Sequence, residues 1–136
     1  MELVLDCSMT MAWLFEDEKT KHSELLLTQL SKETAAIVPA LWMWEVSNVL
    51  LVAQRRKRIT HAQASGFLNM LKVLPITIDD KSVQAAHEMT YELALEQDLS
   101  GYDAAYLELA LRRQLPIASL DKKLNRAAKD LGLSLL

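Results

Sequence analysis

The chain has 136 residues, 51% of them hydrophobic and 24% charged, a balance that excludes a disordered or fibrous protein and is long enough for one domain, 1–136, with a sizeable core. Its net charge of −3 excludes a general nucleic-acid-coating surface, but not a nucleic-acid site built on a metal ion held by clustered acids. No apolar run approaches the ~20 residues of a bilayer span, MELVLDCS lacks the basic opening of a signal peptide, and the single cysteine, Cys7, has no internal partner, so a reducing cytoplasm is the expected setting and no membrane is involved.

In chain order, MELVL reads as a short buried strand ending at Asp6. Ser8 suits the N-cap of a helix running to Phe15, and EDEKTKH is a charged connection before helical Ser23–Leu30. AAIV (35–38) is a second strand, after which Pro39 opens a long helix, ALWMWEVSNVLLVAQRRK. Thr60 caps the next helix, through Leu71. VLPITI (73–78) is a third strand, and Asp79 and Asp80 lead as caps into a helix reaching about Leu95. The helix Tyr102–Arg113 follows, then a fourth strand, LPIASL (115–120), ending at Asp121. Lys122–Leu131 is the last helix, Gly132 its C-cap, and LSLL a fifth strand. Strands alternating with helices predict an α/β domain with a mainly parallel sheet.

In such a sheet, sites lie beyond the carboxyl ends of the strands. Asp6 and Asp121 occupy that position, although taken singly each is explained as the cap of the following helix. Asp103 has the same ambiguity. Ser100 and Asp103 have capping-box spacing, in which Ser100 bonds the amide of 103 and the Asp103 carboxylate reaches back to the amide of Ser100. Glu45 shares a helix face with Leu41, Trp42, Asn48 and Val49. It is either a boundary glutamate reaching solvent or a ligand over the sheet edge. Four carboxylates drawn to one end of the sheet would repel by several kcal/mol at an effective dielectric of ~20. A divalent cation removes that repulsion, and oxygen-only ligation points to Mg²⁺ or Mn²⁺.

Four segments, in this order and spacing, resemble the PIN-domain family, and within it the VapC-type toxin ribonucleases: VLDCSMTMAWLFEDE, VPALWMWEVSNVLLVAQRRKRIT, LSGYDAAYLELALRRQLPIASLDKKL and AAKDLGL. The resemblance implies a PIN-like three-layer fold with a central, mainly parallel five-stranded sheet flanked by helices. It implies that Asp6 and Asp103 are principal metal ligands and that Glu45 and Asp121 complete the acidic pocket, directly or through water. Ser119 stands where the family usually has Thr, and Ser8 supports the first acid. Cys7 and Trp44 replace a more usual alanine and aliphatic residue. Also implied are hydrolysis of RNA to 5′-phosphate and 3′-hydroxyl ends, a homodimer, and a small antitoxin that fills the active-site groove.

Arg55, Arg56, Lys57 and Arg58 form the one strong basic run. At a helix end such a run is explained by the dipole and by solvent, or by a grip on an RNA backbone. Trp13, Trp42 and Trp44 read as core or interface, with an exposed part of the Trp42/Trp44 helix as a contact surface. His22, His61 and His87 lack zinc spacing with Cys7, and neither a G-x-S-x-G elbow nor a Gly-rich phosphate loop is present. The competing expectation is a non-catalytic PIN-like module whose acids bind a basic partner segment.

Overall fold

A strand buried on both faces needs a continuous apolar run, and Leu3, Val4 and Leu5 are each fully buried in β1 (Glu2–Leu5). The computed structural model, which describes residues 1–136 throughout, places this strand inside a four-stranded sheet of order β3-β2-β1-β4. β2 (Ala35–Val38), β3 (Ile76–Ile78) and β4 (Ile117–Ala118) complete it, and every pairing is parallel. The order runs outward from β1 through β2 to β3, then returns to the other side of β1 for β4. The reversal lies between β1 and β4, where open parallel sheets leave a crevice beyond their carboxyl ends.

The expected fifth strand is a correction. LSLL contributes a single parallel bridge, Leu135 to Ile117, because the partner β4 is itself only two residues long. The third strand is shorter than 73–78. Pro75 confines Leu74 to extended backbone (φ −80°, ψ 150°), so α4 (His61–Val73) runs up to it and pairing starts at Ile76.

Helices flank the sheet. α1 (Cys7–Met11) is capped by Asp6 rather than Ser8, whose hydroxyl is used elsewhere. A 3₁₀ turn, Glu16–Glu18, replaces part of the charged connection, and α2 (Lys21–Leu30) starts two residues before Ser23 because Thr20 and Ser23 close a capping box there. α3 (Leu41–Arg55) and α4, capped by Thr60, match expectation. The helix expected to run unbroken to Leu95 is two, α5 (Ser82–Ala85) and α6 (Met89–Gln97), with Glu88 between them outside helical geometry (φ −120°, ψ −105°). No Pro or Gly marks that break in the sequence.

α7 (Gly101–Arg113) is the central helix. Seven consecutive residues, Ala104–Ala110, are buried, and an element enclosed all round is core rather than amphipathic surface. α8 (Lys122–Asp130) ends at Gly132, whose φ of +80° suits a residue without a Cβ. Trp13 and Trp42 belong to the core, donating to Ser23 O and Thr10 Oγ1, while Trp44 is 71% exposed.

Candidate active site

Each of the four predicted acids is delivered by an element whose local geometry also restrains it. Asp6 follows β1 and caps α1, with Oδ1 accepting from Met9 N at 2.9 Å. Asp121 follows β4 and caps α8, with Oδ1 accepting from Leu124 N at 2.9 Å. Both are therefore caps, as their positions after strands allow, and both also line one cleft of about 560 Å³. Asp103 lies in the first turn of α7, where Ser100 Oγ accepts from Asp103 N at 3.0 Å. The expected return bond from its carboxylate to the Ser100 amide is not formed, and that carboxylate faces the same cleft. Glu45 enters from the second turn of α3. All four acids thus line one cleft, with three at the positive ends of helices.

Ser8 and Ser119 stitch the two loops at the crevice together. Ser8 Oγ accepts from Leu120 N at 2.9 Å and donates to both Asp6 oxygens, at 2.7 and 2.9 Å. Ser119 Oγ accepts from Asp121 N at 2.9 Å and donates to Asp6 Oδ2. Each hydroxyl accepts a hydrogen bond from an amide N–H of the β4–α8 loop and donates one to Asp6 at the end of β1. Asp6, 4% exposed, is held in one orientation by three donors.

The cleft is unneutralised. Asp6, Glu18, Glu45, Asp103 and Asp121 line it with Cys7, Tyr106 and apolar side chains, and no Lys, Arg or His does. Burial raises the Asp6 carboxyl above the ordinary range against its three hydrogen bonds, and the Asp121 charge adds to it. Burial likewise raises Glu45, opposed by the Tyr106 hydrogen bond and reinforced by Asp103 and Asp6. Burial and then Asp121 raise Asp103, against the Ser100 hydroxyl and Lys123. The Cys7 thiol is pushed up to about 12 by burial and by Glu45.

This donor set fits a hard divalent cation: it is all carboxylate oxygen, and no basic side chain lines the cleft. No three of these side chains are already drawn close enough to hold an ion. The cleft has room for water between carboxylates and an ion, and Mg²⁺ commonly keeps several waters while taking one or two carboxylates directly. A larger, mostly apolar hollow of about 640 Å³, bounded by Leu41, Val83, Tyr91 and Tyr102, holds none of the predicted acids.

A model of the PIN-domain family matches residues 3–130. This chain is a PIN-domain protein. Ribonuclease VapC1 of Mycobacterium tuberculosis is 30% identical to it over 105 residues, 77% of each chain. By fold the domain resembles M. tuberculosis VapC20, a Sarcin-Ricin loop cleaving toxin (TM-score 0.70, 13% identity, 98% of each chain). It also resembles VapBC2 from Rickettsia felis, solved bound to a DNA fragment from the VapBC2 promoter (TM-score 0.68, 15% identity, 100% of this chain and 98% of that one). The chain belongs with the VapC-type ribonucleases of that family.

The basic run of this PIN domain is exposed at the end of α3, outside the lining of the acidic cleft. Arg58 is already engaged: its guanidinium reaches Asp17 at 2.6 Å and stacks over Phe15, 3.8 Å from the ring centre, which ties the 3₁₀ turn to α3. Arg55, Arg56 and Lys57 form no salt bridge. Among the lining residues that sequence reasoning missed, two carry oxygen groups, Glu18 and Tyr106. Glu18 sits in a charged turn with no periodicity to single it out. Tyr106 had a usable signal, since it follows Asp103 by three residues on one helix face. Asp79 and Asp80, expected as caps, are corrected: Lys81 holds the N-cap position of α5, and Asp79 is buried and gripped by Arg112 at 3.1 and 2.8 Å.

Proposed function

We propose that this PIN domain is a metal-dependent endoribonuclease, the toxin of a toxin–antitoxin pair, which hydrolyses RNA phosphodiesters at Asp6, Glu45, Asp103 and Asp121. The supporting observation is the single cleft in which these carboxylates meet without a basic side chain among them. Asp6 and Asp103 would hold Mg²⁺ or Mn²⁺, with Glu45 and Asp121 completing the pocket directly or through water. The bound ion supplies an activated water and offsets charge on the scissile phosphate. The protein's own part is positional and protonic. Ser8 and Ser119 keep Asp6 from rotating, and the α8 cap engages Asp121 Oδ1 and leaves Oδ2 free. Glu45, its carboxyl raised by burial, can take up a proton from water at Oε2, the oxygen that Tyr106 leaves unengaged.

RNA backbone contact falls to Arg55, Arg56 and Lys57, since Arg58 is committed to Asp17 and Phe15. A homodimer and a small antitoxin complete the proposal, with exposed Trp44 as the contact on α3 and buried Trp42 excluded from it. The reaction is set in the cytoplasm, where lone Cys7 stays reduced; no helix is long and apolar enough to cross a membrane.

The test is cleavage of end-labelled total RNA by purified protein with Mn²⁺, Mg²⁺ or EDTA, beside a folded Asp103→Asn variant. Asparagine keeps the size of Asp103 and removes its charge. Metal-dependent cutting that vanishes in the variant is the expected outcome. Equal cutting by both proteins overturns the assignment of Asp103. No cutting, together with no Mn²⁺ effect on melting temperature, returns the cleft to the role of a protein-binding surface.

A further inference from the structure

Tyr106 is 1% exposed and sits one turn after Asp103 on α7, with its ring packed in the main core cluster. Its hydroxyl donates to Glu45 Oε1, joining α7 to α3. Filling the core does not require that hydroxyl, because a Phe ring would occupy the same space. A buried tyrosine hydroxyl, however, needs a partner, and here the partner is an acid of the cleft. The Glu45 carboxylate in turn makes no other hydrogen bond and no ion pair. A glutamate has three rotatable bonds, and only Tyr106 restrains their far end. Tyr106 cannot move without α7, whose residues Ala104–Ala110 are all buried.

We infer that Tyr106 is a positioning residue for Glu45: it occupies Oε1, presents Oε2 as the working oxygen, and ties Glu45 to the helix that carries Asp103. One rigid helix thereby governs two of the four acids, one through its own side chain and one through a hydrogen bond. The inference rests on the proposed metal site, and its test separates the two.

Calorimetric titration with Mn²⁺ alone, without RNA, is run on the wild-type protein, Tyr106→Phe, Glu45→Gln and the double variant, each checked for folding by its melting temperature. Partners behind a metal ligand typically contribute about 10- to 100-fold in metal affinity. Tyr106→Phe is therefore expected to bind Mn²⁺ about 10-fold or more weakly than wild type. The double variant is expected to match Glu45→Gln, because Tyr106 acts only through Glu45. Equal Mn²⁺ affinity of wild type and Tyr106→Phe overturns the inference. So does a loss of the same size in both backgrounds, which would mark Tyr106 as a general packing residue. If Tyr106→Phe does not fold alone, the Glu45→Gln background decides: equal Mn²⁺ affinity of Glu45→Gln and the double variant upholds the inference, and a further loss in the double variant overturns it. Wild-type protein that binds no Mn²⁺ overturns the metal reading itself and this inference with it.

Discussion

The molecule withdraws two groups of acids from full solvent, one wholly buried and one, apart from buried Asp6, half-buried, and they are handled in opposite ways. Asp79 and Glu108, 4% and 2% exposed, share one guanidinium: Arg112 donates to both Asp79 oxygens and, through Nε, to both Glu108 oxygens at 3.0 Å. The grip lowers the Asp79 carboxyl to about 2 against the effect of burial, aided by Ser82. At the crevice, Asp6, Glu45 and Asp103 are instead raised, and nothing cationic lines their cleft. A chain that can place an arginine between two buried carboxylates has not placed one among the other four. Buried charge is costly without compensation, so the first group is complete as folded, and the second is the one that the proposed cation would neutralise.

The comparison can be broken most sharply at the chemistry. Asp6→Asn is expected to lower metal-dependent RNA cleavage by at least about 100-fold, since a ligand should matter more than the 10–100-fold of a residue behind it; single-turnover rates check this. Asp79→Asn, outside the cleft, should leave far more activity in the same assay. Stability should show the reverse. Arg112→Met strands two buried carboxylates and is expected to cost about 3–5 kcal/mol in urea denaturation. Adding Asp79→Asn and Glu108→Gln should recover part of that loss, because the charges left unpaired are then gone.

Saturating Mn²⁺ should stabilise the wild-type protein by about 2.7 kcal/mol at a hundredfold excess over its Kd, and the gain should shrink in Asp103→Asn. Without metal, Asp103→Asn is expected to be slightly more stable than wild type, by less than about 1 kcal/mol for a partly exposed group, because it relieves repulsion from Asp121.

The smallest effect is a pH signature of opposite sign in the two groups. Acids raised in the folded state bind more protons there than when unfolded. The metal-free protein should therefore gain stability from them as pH falls through their raised pKa values toward about 4. Asp79 is depressed, so its contribution is present above its unfolded value of 3.8 and is lost as pH falls toward about 2. Denaturation midpoints across that range, with and without Arg112→Met, separate the two.

Much of this was visible in the residues. Apolar runs located the strands, and Thr60, Ser100 and Gly132 marked helix ends through chemistry that acts within four residues. The break between α5 and α6 was not visible, because no Gly or Pro signals it and packing overrides local preference there. The fifth strand failed for a related reason: pairing depends on a partner strand, and β4 offers two residues. The basic run was visible as charge, but the engagement of Arg58 with Phe15 and Asp17, more than forty positions away, was not.

What the chain determined by itself was the alternation of strands and helices and which acids would end up beyond strand ends, since hydrophobic period and capping are local. Only the tertiary structure decided that Asp6 and Asp121, caps as their positions allow, also face a common cleft, that the Asp103 carboxylate turns to that cleft and not back to Ser100, and that Asp79 belongs with Arg112 and not with them. These outcomes depend on which strand lies beside β1 and which helix runs through the core. Distances between residues far apart in sequence are fixed only once the sheet order and the packing of α7 are fixed.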